Sequence, residues 1–381
     1  MQMKINMTKS GTFSMNQRWG YWSGFILAGV LILIILPQIL SPFQVNLLGK
    51  FLTFAIVAIG LDLLWGYTGM LSLGQGLFFG LGGYCFGMYL NLETVGDRLP
   101  DFMSLYGVFE LPTMWEPFHS PVFALGAAIL VPMIIAAVLG AMVFTSRIQG
   151  VYFAIITQAL TAIVALLLIN QQKLINGTNG ITEMKTIFGY GLAEQSTQLA
   201  LYLVTAVVLG VVFLLAFWLT HSRFGKVMVA IRDDENRVRF VGYNPVIIKT
   251  AVFALSAGIS GLAGALFVPQ VGIISPQQLG IVASIEIVIW VAVGGRGTLV
   301  GAVLGALLVN TGKSTISTEY PEIWQFFMGG LFIGVVLIMP KGIVGTSSDL
   351  IERIQKRTGQ IFSSGQGDKS VRPGAEADNA V

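Results

Sequence analysis

Between Ile281 and Thr311 only Glu286 and Arg296 carry a charge, and apolar runs of this kind recur along the whole chain. A soluble chain gives about 25% of its residues to Asp, Glu, Lys and Arg because its surface must face water. Here the charged share is 11% against 54% hydrophobic. Most of the surface must therefore face lipid or other protein. In hydrocarbon the backbone has to satisfy its own polar groups, and apolar runs of about 20 residues do so as helices. The expected fold class is an all-α, polytopic transmembrane helical bundle.

The runs predict about ten spans, near residues 21–40, 47–66, 71–90, 121–145, 149–169, 199–219, 250–270, 281–294, 298–311 and 323–340. The eighth and ninth are short and meet at Gly294-Gly295-Arg296-Gly297, as broken or re-entrant helices do. The run from Tyr21 to Leu40 is long and lacks a small-residue cleavage site, so it reads as a retained span rather than a leader. The expected organisation is a cytoplasmic segment at 1–20, a transmembrane domain at 21–345 and a disordered cytoplasmic tail at 346–381. The tail is too polar to bury a core.

Positive charge sets the orientation. Arg223, Lys226, Arg232, Arg237, Arg239 and Lys249 crowd one loop, and Lys341, Arg353, Lys356 and Arg357 follow the last run. The linker from Asn91 to Ser120 instead carries Glu93, Asp97, Asp101, Glu110 and Glu116 against Arg98. Alternation from a cytoplasmic N-terminus puts Arg147, the basic loop, Arg296 and the C-terminus inside and the acidic linker outside.

Several function classes are disfavoured. The net charge of +3 is too small to suggest a nucleic-acid partner. One cysteine, Cys85, makes no internal disulfide, and His119 and His221 have no cysteine cluster beside them to form a metal site. No nucleophile–base–acid set stands out, so no catalytic residue is assigned. Thr311-Gly312-Lys313-Ser314-Thr315 resembles the end of a phosphate loop, but Leu307 stands where that loop needs glycine. The stretch is assigned to a short outer loop, and no cofactor site is expected in the chain.

Glycine, with 46 copies, is placed at helical spacing. Gly297, Gly301 and Gly305 recur every four residues, as do Gly83 with Gly87 and Gly330 with Gly334, and Gly258, Gly261 and Gly264 every three. Such seams let helices pack closely, and they also suit helices that slide. The helix-breaking cluster from Trp65 to Gly76 offers Tyr67, Thr68, Ser72 and Gln75 either as polar pathway groups or as side chains that satisfy a tight turn. Asp62 and Glu286 fall inside apolar runs and must face protein or a wet cavity. Each either orients solute or couples helix movements, or else caps backbone amides or pairs with a buried polar group; Glu286 is the stronger pathway candidate. In the basic loop, Asp233 and Arg237 at i,i+4 predict a short amphipathic helix. That helix either docks a cytoplasmic protein or lies against the headgroups.

The segments Lys249–Gly258, Gly261–Leu266, Gly294–Thr298, Gly301–Ala306 and Pro340–Ile343, with Gly66-Tyr67-Thr68-Gly69 and Leu71–Gln75, resemble the permeases of high-affinity branched-chain amino acid ABC importers across most of residues 60–345. Asn176–Thr182 and the insertion at 91–120 look most like the longer permease subunit of urea importers. Importers of branched-chain amino acids or short amides are the alternatives. The resemblance implies a bacterial inner-membrane protein paired with a second homologous permease, two cytoplasmic ATPase subunits that bind ATP, and an external solute-binding protein. It also implies a coupling segment comprising Arg232, Asp233, Asp234, Glu235, Asn236, Arg237, Gly242, Tyr243 and Asn244. The rival classes are an autonomous channel or ion-coupled carrier, and a scaffold that transports nothing.

Overall fold

The computed structural model describes residues 29, 31–96, 98–339 and 342–346. The principal helices are α1 (Pro42–Asp62), α2 (Gln75–Val95), α3 (Pro121–Thr145), α4 (Val151–Asn170) and α5 (Gln195–His221). Two short helices follow, α6 (Arg223–Asp233) and α7 (Glu235–Phe240). The remainder are α8 (Pro245–Val271), α9 (Ile281–Gly294), α10 (Leu299–Glu319) and α11 (Trp324–Ile338). A two-residue hairpin, β1 (Thr186–Ile187) against β2 (Tyr190–Gly191), does not alter the all-α class.

Local chemistry fixes the starts of these helices. Ser41 and Gln44 form a capping box ahead of Pro42, and the Asn244 side chain accepts from the Val246 amide ahead of Pro245. Each supplies a partner for an orphan amide of the first turn, while proline there forfeits nothing.

Six helices among the described residues are long and apolar enough to cross a membrane, not about ten: Pro42–Tyr67, α3, α4, α5, α8 and α10. The excess came from treating every apolar run as a span. The run at 71–90 becomes α2, glycine-rich and almost wholly enclosed by protein. The run at 281–294 stops where Gly295 takes φ 119°, and the one at 323–340 yields a helix of only 15 residues. The run at 298–311 extends instead to Glu319, so Thr311–Thr315 lies within α10 and not in an outer loop. Of the first expected span, residues 21–28 and 30 lie outside the described residues, and 31–39 is a short helical stretch, π-helical over Leu31–Ile35 and α-helical over Leu36–Ile39. The segment 1–20 and all but the first residue of the expected tail lie outside the described residues altogether.

The core is organised around α8, which packs between α2 and α3. Missing side chains make this possible: Gly261 faces the Ala128 carbonyl of α3, and Gly264 faces the Phe79 carbonyl of α2. Gly258 receives Met133. In the α9–α10 hairpin, Gly294 lies directly against Gly301 and Gly305, and Gly297 sits at the turn with φ 79°. Backbone-to-backbone approach of this kind gives dispersion contact where the hydrophobic effect between helices is weak. Gly83 and Gly87 receive Ile274 and Val268, whereas Gly330 and Gly334 have nothing within 4 Å.

Helix direction gathers the basic features at one end of the bundle. Gln149, after α3, donates to Glu235 of α7; Arg232 of α6 meets Gly66; Gly66 meets Gly297; and Gly342 lies against Gly295. At the other end, Ile181 and Ile274 exchange backbone hydrogen bonds of 2.9 and 3.1 Å, and Asn91 donates to the Thr182 carbonyl.

Candidate functional site

The basic loop folds as two helices rather than one. Asp234 breaks them: its carboxylate accepts from the Asn236 and Arg237 amides at 3.1 and 3.2 Å, capping α7. Arg237 pairs with Asp234 at 3.0 Å, and Asp233 pairs with Arg232 at 3.3 Å, in place of the expected Asp233–Arg237 contact. A cap that satisfies two amides outweighs an exposed i,i+4 pair. Arg232, Asp233, Asn236, Arg237, Gly242, Tyr243 and Asn244 are exposed, while Asp234 and Glu235 are half-buried. Phe240 is 91% exposed at the same face, beside a groove of about 390 Å3 lined by Lys226, Ala230, Arg237 and Tyr243.

Glu235 anchors this segment. It accepts from Arg239 at 2.7 Å, Lys249 at 3.0 Å and Gln149 at 2.7 Å, tying α7 to α8 and to the corner after α3. Burial pushes its pKa up, but the hydrogen bonds from Arg239 and Lys249 outweigh it, and the carboxyl ends below its ordinary value. A depressed folded value means stabilisation that is fully present above the ordinary carboxylate pKa of about 4.3. It is lost as pH falls through the lower folded value. Glu235→Gln is therefore expected to lower thermal stability at neutral pH, with the gap to wild type closing as the buffer is taken below that range. A gap independent of pH would contradict the ion-pair role.

Arg232 reaches inward. Its Nη1 donates to the Gly66 carbonyl at 2.8 Å, within the π-helical turn Leu63–Tyr67 that ends the first long span. Across from Gly66 lies the Gly297 backbone, and Asp62 Oδ1 accepts from the Gly297 amide at 2.6 Å. A continuous set of polar and close backbone contacts thus joins α6 to α1 and to the α9–α10 turn. Asp62 serves here as a holder of backbone.

Beyond Tyr67 the chain does not leave the bundle. Residues 69–74 are irregular and largely enclosed, with the Leu73 amide donating to Thr157 on α4 at 3.0 Å. Helix α2 begins only at Gln75, whose side chain donates to Ser256 and accepts from Ser260, both on α8. Thr68 donates to the Leu64 carbonyl, and Ser72 accepts from the Gly74 amide. Irregular backbone at this depth survives because protein supplies its partners.

Toward the other end of the same helices lies a cavity of about 490 Å3. Lys50, Phe54, Phe267, Glu286, Trp290 and Lys313 line it, together with Gln277, Gln278 and aliphatic residues. Lys313 donates to both Glu286 oxygens at 2.8 Å. Lys50 lies 5.9 Å from the Phe54 and Phe267 ring centroids. Along α1, Lys50 stands roughly 24 Å from Gly66 at 1.5 Å rise per residue. Of the residues expected in a pathway, Glu286 lines this cavity, and Tyr67, Thr68, Ser72 and Gln75 lie outside its lining. Lys50 and Lys313 were not anticipated. Lys50 interrupts an apolar run, which was the available signal, whereas Lys313 finds Glu286 from 27 positions away.

The sequence pattern of the family described as the branched-chain amino acid transport system permease component matches residues 43–336. The chain belongs to that family. It is 25% identical to the high-affinity branched-chain amino acid transport system permease protein LivM of Salmonella typhimurium, over 84% of this chain and 74% of the relative. It is 24% identical to the corresponding LivH protein of the same organism, over 77% of this chain and 91% of the relative. The branched-chain permease BraD of Pseudomonas aeruginosa is 24% identical over 81% and 98%. No solved structure matches the chain significantly.

These relatives overturn the urea reading, and the permease structure shows why it failed. Neither Asn176–Thr182 nor the insertion at 91–120, which suggested urea, lines the cavity. In the first, Asn176 closes its own loop onto the Gly180 carbonyl and Ile181 ties down Ile274. Such contacts are structural and carry no information about solute. As a transport component, the permease is not an enzyme.

Proposed function

We propose that this permease is one subunit of an ATP-driven importer of branched-chain amino acids in a bacterial inner membrane. It would work beside a second homologous permease, with two cytoplasmic ATPase subunits that bind the ATP and an external binding protein that delivers solute. Both termini lie in the cytoplasm, and 21–345 forms the permease domain. The observation that carries this reading is the Arg232–Gly66 contact with its continuation through Asp62 to Gly297. It joins an exposed, charged and aromatic docking face to α1 and α9, two of the helices that line the cavity farther along.

Arg232, Asp233, Asp234, Glu235, Asn236, Arg237, Gly242, Tyr243 and Asn244 form the coupling surface, and Phe240 is its apolar knob. Closure of the ATPases displaces α6 and α7; the displacement passes to the end of α1 and the α9–α10 turn. A ligand shifts a conformational equilibrium only through differential contacts with its two states, and the docking face supplies them. Tyr67, Thr68, Ser72 and Gln75 belong to the stretch between cavity and cytoplasm, with Glu286 in the cavity above. The glycine seams at Gly258, Gly261, Gly264, Gly297, Gly301 and Gly305 let the backbones move against one another without side-chain collisions.

Proteoliposomes holding the complete complex, with binding protein outside and ATP inside, test the reading. Accumulation of leucine, isoleucine and valine that requires ATP hydrolysis is expected. Equal leucine flux through the permease alone would support an autonomous carrier instead.

A further inference from the structure

The cavity holds more charge than its own architecture needs. Glu286 and Lys313 neutralise one another, and no ion pair to Lys50 occurs among the described residues. Lys50 and Lys313 against Glu286 leave one positive charge in a chamber whose other walls are the rings of Phe54, Phe79, Phe267 and Trp290, aliphatic residues and the neutral amides of Gln277 and Gln278. The rings are mutually packed, with centroids 4.8 Å apart for Phe54–Trp290 and 5.6 Å for Phe54–Phe267. Charged groups at membrane depth are costly and mark solute paths.

We infer that this cavity is the permease's own recognition site for a free zwitterionic α-amino acid with a branched apolar side chain. The inference rests on the importer reading above and assigns its solute contacts. Lys50 takes the α-carboxylate and so neutralises the excess charge. Glu286 takes the α-ammonium: each of its oxygens already accepts from Lys313 and keeps a lone pair for a second donor. The Phe54 and Phe267 faces receive the branched side chain, and aromatic faces also attract the ammonium. A volume near 490 Å3 falls in the range of small-ligand sites. A simple anion would satisfy Lys50 but leave Glu286 unused. A simple amine would do the reverse.

The complete complex in lipid nanodiscs, without binding protein, is titrated with radiolabelled L-leucine. Competitors are 4-methylpentanoate, which lacks the ammonium, and 3-methylbutylamine, which lacks the carboxylate. Leucine is expected to compete about tenfold or more better than either, as befits loss of one charge-assisted contact. Lys50→Gln disturbs no ion pair among the described residues, so folding is expected to survive. It should weaken leucine and 4-methylpentanoate about tenfold or more and spare 3-methylbutylamine. Glu286→Gln should weaken leucine and the amine and spare the carboxylate.

Absence of saturable leucine binding to the wild type, unchanged leucine affinity in Lys50→Gln, or 4-methylpentanoate binding as tightly as leucine would each overturn the assignment. ATP-driven uptake measured in parallel separates the two claims. Wild-type leucine import with cavity variants unaffected removes only this site. A wild type that imports no branched-chain amino acid removes the importer reading itself.

Discussion

Gly264→Leu is expected to prevent the bundle from assembling. Even a Cβ at this position would meet the Phe79 carbonyl oxygen and the Gly83 amide nitrogen of α2 closer than real contacts allow. Both obstacles are backbone, so no rotamer change relieves them. Overpacking alone costs about 1–3 kcal/mol, and parting two helices that meet along their backbones adds to it. The loss is expected to exceed about 3 kcal/mol, a sizeable part of what holds a domain together. Gly210→Ala, on α5 with open space around it, is the control. Thermal aggregation followed by size-exclusion chromatography in detergent reads both. Monodisperse Gly264→Leu melting beside wild type would show that α2 and α8 do not pack as described.

Arg232→Ala is expected to leave the bundle intact and to uncouple it. The contact with Gly66 is a charge-assisted hydrogen bond to a carbonyl, a class worth about 1.5–3 kcal/mol. If that contact transmits ATPase closure to α1, leucine uptake should fall about 10- to 100-fold while ATP hydrolysis continues. Arg232→Lys is expected to restore part of the uptake, since an ammonium keeps the charge without the planar fork. Equal losses of uptake and hydrolysis would place Arg232 in assembly rather than transmission.

What the sequence disclosed follows physical range. The α9–α10 turn was legible because Gly295 and Gly297 take backbone angles that side chains disfavour. The irregular stretch after Tyr67 was legible from its cluster of glycines. The break at Asp234 was not, because Asp233 and Asp234 stand four and three residues before Arg237 and a carboxylate at either spacing reads equally well as a pair or as a cap. Lys313 escaped because its partner stands on the preceding helix, so neither hydropathy nor local spacing connects them. Span number was overstated since a run such as 71–90 is apolar for contact with protein as readily as with lipid. Solute identity was misread because the loop at Asn176–Thr182 serves the fold.

The central claim is that the coupling segment controls the cavity, and site-directed labelling tests it most directly. The chain has one cysteine, the buried Cys85. Cys85→Ala combined with Ala283→Cys, at the cavity wall, gives a single reporter in the assembled complex. A membrane-impermeant maleimide added outside is expected to label the reporter without nucleotide and to be excluded when ATP is bound but not hydrolysed. In the Arg232→Ala background labelling should no longer respond to ATP. Labelling that ignores ATP in the Arg232-intact complex, or responds equally after Arg232→Ala, would contradict the mechanism.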